Sequence, residues 1–196
     1  MSDGPLRMKS VELLSDNWGK LKKYTYDMVR RDGRLEEHKR EVYDRGNGAV
    51  VLPYDPSRGT VLLTRQFRLP AYVTGHDPML IEACAGLLDD NDAETTARKE
   101  TEEELGYRLR DIERVFDVFI SPGSVTERLV FFVAVYDASD RISEGGGHEG
   151  EGEDIEILEM TLDDALASVE RHEIVDAKTV MLLQHVKLKG LMAQKG

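Results

Sequence analysis

Cysteine is nearly absent: Cys84 is the only one in 196 residues, which excludes an intramolecular disulfide framework and any zinc site built from several thiolates. Its neighbours, Ile81-Glu82-Ala83-Cys84-Ala85, are mostly apolar, so a packed, inert thiol is expected in preference to a nucleophile. Histidine is scarce and scattered. His38, His76, His148, His172 and His185 show neither close pairing nor metal-ligand spacing and read as surface or packing residues. No apolar run approaches the roughly 18 residues of a membrane span. The leading Met1-Ser2-Asp3-Gly4-Pro5 lacks the basic-then-apolar order of a secretion signal, so a cytoplasmic protein with no membrane partner is expected. Basic residues are outnumbered, 26 Lys and Arg against 38 Asp and Glu, for a net charge of −12. A nucleic-acid partner, which needs a basic footprint to displace counterions, is therefore not expected. There is no internal repeat.

What is present suits a soluble globular chain: 40% hydrophobic and 33% charged residues, with a length that allows one domain plus an appendage. The charge is lopsided. Residues 1–50 hold 11 basic and 9 acidic side chains, the rest 15 and 29. An acidic body with a slightly basic leading segment suits a phosphate-containing ligand bridged by a divalent metal, and equally a merely soluble surface.

Residues 1–48 read as a β appendage and residues 49–196 as the main domain. In the appendage, 22–29 is strand-like, with Tyr24, Tyr26 and Met28 at period two. Asp32-Gly33 is a tight turn and 38–43 a second strand, giving a hairpin too small to stand alone. The main domain reads as strands at 49–52, 60–67, 79–82, 112–120, 129–136 and 155–160, with helices at 93–105, 162–171 and 178–192. Few helices among many strands imply a helix–sheet sandwich of the α/β class. Residues 143–154, with five glycines and several glutamates, read as a mobile acidic loop.

The chemistry concentrates in 93–105. On a wheel at 100° per residue, Ala93, Ala97, Thr101 and Leu105 form a stripe suited to packing on a sheet. Glu104 falls inside that stripe, Glu100 on its flank and Glu103 next round, so three carboxylates at i, i+3 and i+4 converge. Arg98 and Lys99 lie on the far side of the wheel, so local pairing is expected to be poor. A carboxylate aimed along a packing face needs a cationic partner, and a hard divalent ion with oxygen ligands is the natural one. An ordinary solvated acidic face is the alternative.

Here the chain resembles the Nudix hydrolases, whose signature ends in Arg-Glu-hydrophobic-x-Glu-Glu-x-Gly-hydrophobic. Residues Lys99-Glu100-Thr101-Glu102-Glu103-Glu104-Leu105-Gly106-Tyr107 match in register. Lys99 stands for the Arg, Thr101 for the hydrophobic residue and Asp92 for an earlier Glu, and the span from Gly86 to Glu100 is one residue short. Further segments are similar to the GDP-mannose pyrophosphatase branch of that family: Ser15-Asp16-Asn17, residues 38–48, Arg65-Gln66-Phe67-Arg68, Ser121-Pro122-Gly123 with Val125-Thr126-Glu127, and Glu153-Asp154-Ile155-Glu156. Pro122 is also typical of the related ADP-ribose pyrophosphatases.

The resemblance implies a Nudix α/β/α sandwich with a mixed sheet and an N-terminal β-hairpin appendage, exchanged between the subunits of a homodimer. It implies Mg²⁺, with Mn²⁺ as substitute, held by Glu100, Glu104, the Ala85 carbonyl and a glutamate of the glycine-rich loop, with Glu103 the next candidate. That loop glutamate is Glu153 in an ungapped match, with Glu151 its rival, and it would orient or deprotonate the attacking water. Substrate contacts carried over are Trp18, Lys39, Arg40, Glu41, Arg68, Ala85, Gly86, Leu87, Glu104, Glu127 and Lys178. Each has a plainer alternative: a buried staple for Trp18, a surface charge for the others that carry one. The implied reaction is hydrolysis of a nucleoside diphosphate sugar, GDP-mannose giving GMP and mannose 1-phosphate. The alternatives are ADP-ribose giving AMP and ribose 5-phosphate, or a nucleotide-sensing module without turnover.

Overall fold

The computed structural model describes residues 6–88, 90–148, 150 and 152–192. The chain divides into two compact units, one of residues 1–47 and 118–129, the other of residues 48–117 and 130–196.

The first unit is a three-stranded antiparallel sheet in the order β1 (Leu6–Asp16), β2 (Lys20–Val29), β3 (Leu35–Asp44). The sequence pattern shows only the last two strands, and β1 is the addition. The reason is a bulge. Register shifts between Met8 and Ser10, so Leu6 and Met8 pair with Met28 and Tyr26 while Val11 and Leu13 pair with Tyr24 and Lys22. The even and odd apolar positions of β1 thus reach one face, and no clean alternation is left in the sequence to read. The opposite face is charged: Lys9 bridges Asp27 and Glu37 at 2.7 and 2.8 Å, and Lys23 pairs with Glu12. Residues 121–127 lie along the end of β3. The Tyr43 N–H donates to the Ser124 carbonyl (2.8 Å) and the Thr126 hydroxyl to Asp44 (2.9 Å).

In the second unit the strands are β4 (Gly48–Asp55), β5 (Thr60–Phe67), β6 (Met79–Glu82), β7 (Cys84–Leu87), β8 (Ile112–Phe119), β9 (Arg128–Val135) and β10 (Glu156–Thr161). Among the described residues they form one sheet in the order β10-β5-β4-β9-β8, with β6 added on β5 and β7 on β4. Helices α1 (Leu69–Val73), α2 (Ala93–Glu100), α3 (Leu162–Glu170) and α4 (Ala177–Leu188) complete it. The central strand β4 is apolar on both faces. Ala49 and Val51 join Leu62, Cys84, Ala97, Leu105 and Phe132 in one core cluster, and Val50 and Leu52 alternate to the other face, where α4 packs on β4. Helices on both faces of the sheet make this an α/β/α sandwich. No helix among the described residues is long and apolar enough to cross a membrane.

The expected helix over 93–105 is present with a change of pitch. Asp92 caps α2, accepting from the Glu94 and Thr95 N–H groups at 3.0 Å. After Glu100 the chain widens into a π turn over Thr101–Leu105 and stops at Gly106, φ +76°. Single π turns inside helices are rare. This one falls on the glutamates.

Candidate active site

Of the stripe expected to pack, Ala97, Thr101 and Leu105 are buried and Ala93 is partly buried against the core, and Glu104 inside it is buried too. Glu104, a carboxylate, is only 2% exposed, and its Oε2 has no hydrogen-bond partner among the described residues. Burial pushes its pKa up to about 8. Repulsion from Glu100 and Glu153 adds to the rise, against the opposing pull of the Cys84 thiol and the Arg68 guanidinium. Cys84 itself is fully buried, and burial with the Glu104 charge nearby pushes its thiol well up. It is a packed thiol and no nucleophile.

Glu100 lies directly over β7. A Cβ built on Gly86 would fall 2.2 Å from the Glu100 carboxyl carbon, so only glycine lets this backbone approach the carboxylate. The third helix glutamate departs from expectation. Glu103 pairs with Lys99 at 3.3 Å, one turn back, so local pairing does exist. Residues four apart lie only 40° apart at 100° per residue, so Lys99 stands beside Glu103, and Glu100 beside Glu104, even on an α-helical wheel, and the far-side placement of Lys99 does not hold. Among the described residues no three acidic, His or Cys side chains enclose a metal position by themselves.

The glycine-rich loop is tied to this helix end. The Gly146 and Gly147 N–H groups donate to the Glu104 and Glu103 carbonyls at 2.9 and 3.1 Å, satisfying groups a helix C-terminus leaves open. Expected simply to be mobile, the first half of this loop is in fact hydrogen-bonded along the turn that carries the glutamates. Glu153 folds back over it: its Oε2 accepts the His148 N–H (2.9 Å) and crowds Gly147, where a Cβ would meet that oxygen at 2.6 Å with φ at +84°. Glu151 lies outside the described residues.

A second constellation centres on a residue that sequence reasoning missed. Glu82, at the end of β6, is 2% exposed. Its two oxygens accept from Arg68 Nε and Nη2 at 2.8 and 3.0 Å, and Lys178 Nζ donates to Oε2 as well. Lys178 also reaches Asp176, the cap of α4, at 2.8 Å. The Thr179 hydroxyl, held by Asp176, accepts the Ala83 N–H at 2.7 Å. Burial opposes the Glu82 charge, and the two cations overcome it and hold its pKa below the usual range. The signal in the sequence was a lone carboxylate in the apolar run from Met79 to Cys84.

Arg68, Ala85, Gly86, Leu87, Glu100, Glu103, Glu104, Glu153 and Lys178 thus all belong to the second unit, whereas Trp18, Lys39, Arg40, Glu41 and Glu127 belong to the first. Trp18 is 84% exposed on the β1–β2 turn, which rules out a staple buried within this chain. It borders a depression of about 250 Å³ with Asp16, Asn17, Lys20, Asp44 and Arg45. Lys39, Arg40 and Glu41 are exposed on β3, and Glu127 pairs with Arg45 at 3.5 Å.

Comparison with known proteins agrees over nearly the whole chain. Residues 6–43 match the GDP-mannose pyrophosphatase NudK N-terminal domain, and residues 44–183 match the NUDIX domain. A GDP-mannose pyrophosphatase of Cronobacter sakazakii is 53% identical over 182 residues, 92% of this chain and 94% of that protein. One of Pectobacterium atrosepticum is 50% identical over 191 residues, 97% and 98% of the two chains. The fold is also that of a solved ADP compounds hydrolase, with a TM-score of 0.72 at 17% identity and coverage of 97% and 98%.

Proposed function

The chain belongs to the NUDIX family, and we propose that it hydrolyses the diphosphate bond of GDP-mannose to GMP and mannose 1-phosphate. The observation that carries this reading is Glu104: a buried carboxylate with an unpartnered oxygen, beside Glu100 and within reach of the Glu153 charge. An orphaned buried anion of this kind fits a divalent cation, and oxygen donors select a hard one, Mg²⁺. Glu100, Glu104 and the Ala85 carbonyl would hold it. Two or so carboxylates completed by substrate phosphates are the usual Mg²⁺ arrangement, consistent with Glu103 being paired to Lys99. When bound, the ion supplies charge neutralisation at the phosphate oxygens and acidifies water. Arg68 and Lys178 would grip the diphosphate, the forked guanidinium suiting its oxygens. Glu153, on the loop joined to the same helix end, would take the proton of the attacking water. No covalent intermediate is needed. The 50–53% identity to GDP-mannose pyrophosphatases favours the guanine substrate over ADP-ribose, as the ADP compounds hydrolase shares only the fold at 17% identity.

The test is phosphate release, through an added phosphatase, from a panel of nucleotide sugars with and without Mg²⁺. GDP-mannose is expected to be cleaved fastest and only with the metal. Preferential cleavage of ADP-ribose, or none of any substrate, would overturn the reading. A local check uses Gly86→Ala: the added methyl must displace the Glu100 carboxylate, so activity should fall with the circular dichroism spectrum unchanged. Wild-type activity in that variant would remove Glu100 from the metal site.

We also propose a homodimer built through the first unit. Leu6, Met8, Val11 and Leu13 are 46–54% exposed on the same sheet face as Tyr24, Tyr26 and Met28, an apolar surface that water disfavours leaving open. Light scattering is expected to give twice 22.1 kDa. A stable 22.1 kDa species at micromolar concentration would refute the dimer.

A further inference from the structure

We infer that Glu82 is a positioning residue that aims two cations at the substrate diphosphate, an inference that rests on the diphosphate reading above. The donor geometry carries it. Glu82 takes Arg68 side-on through Nε and Nη2. The Nη1 edge of the fork makes no hydrogen bond among the described residues, and the side chain is 39% exposed. Lys178 gives one ammonium proton to Glu82 and one to Asp176, leaving the third. One buried carboxylate thus fixes which N–H groups of both cations stay available. Arg68 comes from the strand β5 end and Lys178 from the first turn of α4, and among the described residues no other side chain is hydrogen-bonded to both.

Charge arithmetic separates this role from simple neutralisation. Glu82 and Asp176 balance Arg68 and Lys178, so the quartet has no net charge and meets the diphosphate as an array of directed donors. Removing the Glu82 charge leaves the quartet at +1. If Glu82 only neutralised its neighbours, that gain would tighten the grip on an anion. If Glu82 positions them, the freed guanidinium and ammonium recover their rotamers and binding weakens, since a misplacement of about 1 Å in such a clamp can cost around 100-fold.

The sign of the change decides. The full chain would be titrated calorimetrically with methylenediphosphonate, a non-hydrolysable diphosphate, in Mg²⁺ buffer, for wild type, Glu82→Gln and Glu82→Asp. Glu82→Gln is expected to raise Kd about 10- to 100-fold, with a matching rise in KM for the nucleotide sugar and a smaller effect on kcat. Unchanged or tighter binding would overturn the inference. Glu82→Asp keeps the charge and withdraws the carboxylate by one methylene. It should also weaken binding, and wild-type affinity in it would overturn positioning even if Glu82→Gln does not fold. A purely structural role would lower the binding stoichiometry and the melting temperature and leave Kd alone. Wild type that binds the diphosphonate without cleaving GDP-mannose would sink the substrate reading only. Wild type that binds no diphosphonate would sink this one.

Discussion

Glu104→Gln is expected to abolish turnover and, in metal-free buffer, to make the protein more stable. The glutamine keeps the shape and removes the charge that burial and the Glu100 and Glu153 carboxylates make unfavourable. The stability gain should depend on pH in a set direction. In the folded chain Glu104 titrates near 8 instead of the ordinary 4.5, so between those values the folded state holds a proton that the unfolded state has released. Wild-type stability therefore falls as pH rises from about 4.5 to 8 and levels off above. Glutamine abolishes that slope, and its advantage grows across the same window to an order of a few kcal/mol. Thermal melts of both proteins at pH 5 and pH 8.5, with chelator, measure it. Added Mg²⁺ should raise the wild-type melting temperature more than the variant's. Near wild-type turnover of Glu104→Gln in saturating Mg²⁺ would remove Glu104 from the site.

Glu153→Gln should lower kcat by roughly 10²–10⁴ with little change in KM, the loss expected when a group that handles the attacking water goes while substrate contacts stay. The fold gives the reason for choosing Glu153 over Glu151. Its carboxylate is placed by the His148 N–H and by close packing on Gly147, in a loop stitched to the carbonyls of Glu103 and Glu104. Glu151 is flanked by Gly150 and Gly152 and is expected to be nearly silent as Gln. A silent Glu153→Gln beside a crippled Glu151→Gln would reverse the assignment.

Periodicity marked the helix that carries the glutamates and most of its buried stripe, because both are properties of neighbouring residues, whereas its Asp92 cap emerged only in the structure. The continuous apolar run of residues 49–52 in β4 and the nearly continuous one of β9 likewise announced a buried sheet. β1 was not legible, since its bulge hides the alternation that the face itself possesses. The loop glycines were visible as residues, but their task was not. They let the backbone run against the helix end, a contact that composition does not encode.

By itself the sequence excluded a disulfide framework, a thiol or histidine constellation and a basic footprint, and it set Glu100, Glu103 and Glu104 at helical spacing on one face. Only the tertiary structure decided which carboxylates are buried and which are paired at the surface. The Lys99–Glu103 pair is an ordinary i,i+4 contact, 40° apart on a 100° wheel, whereas the burial of Glu104 at 2% exposure depends on the sheet packed against the helix. Glu82, Arg68 and Lys178 are separated by 14 and 96 residues, and their meeting depends on β5, β6 and α4 being packed together. Burial then sets their charges, because the cost of an unpaired anion exists only where the fold has excluded water.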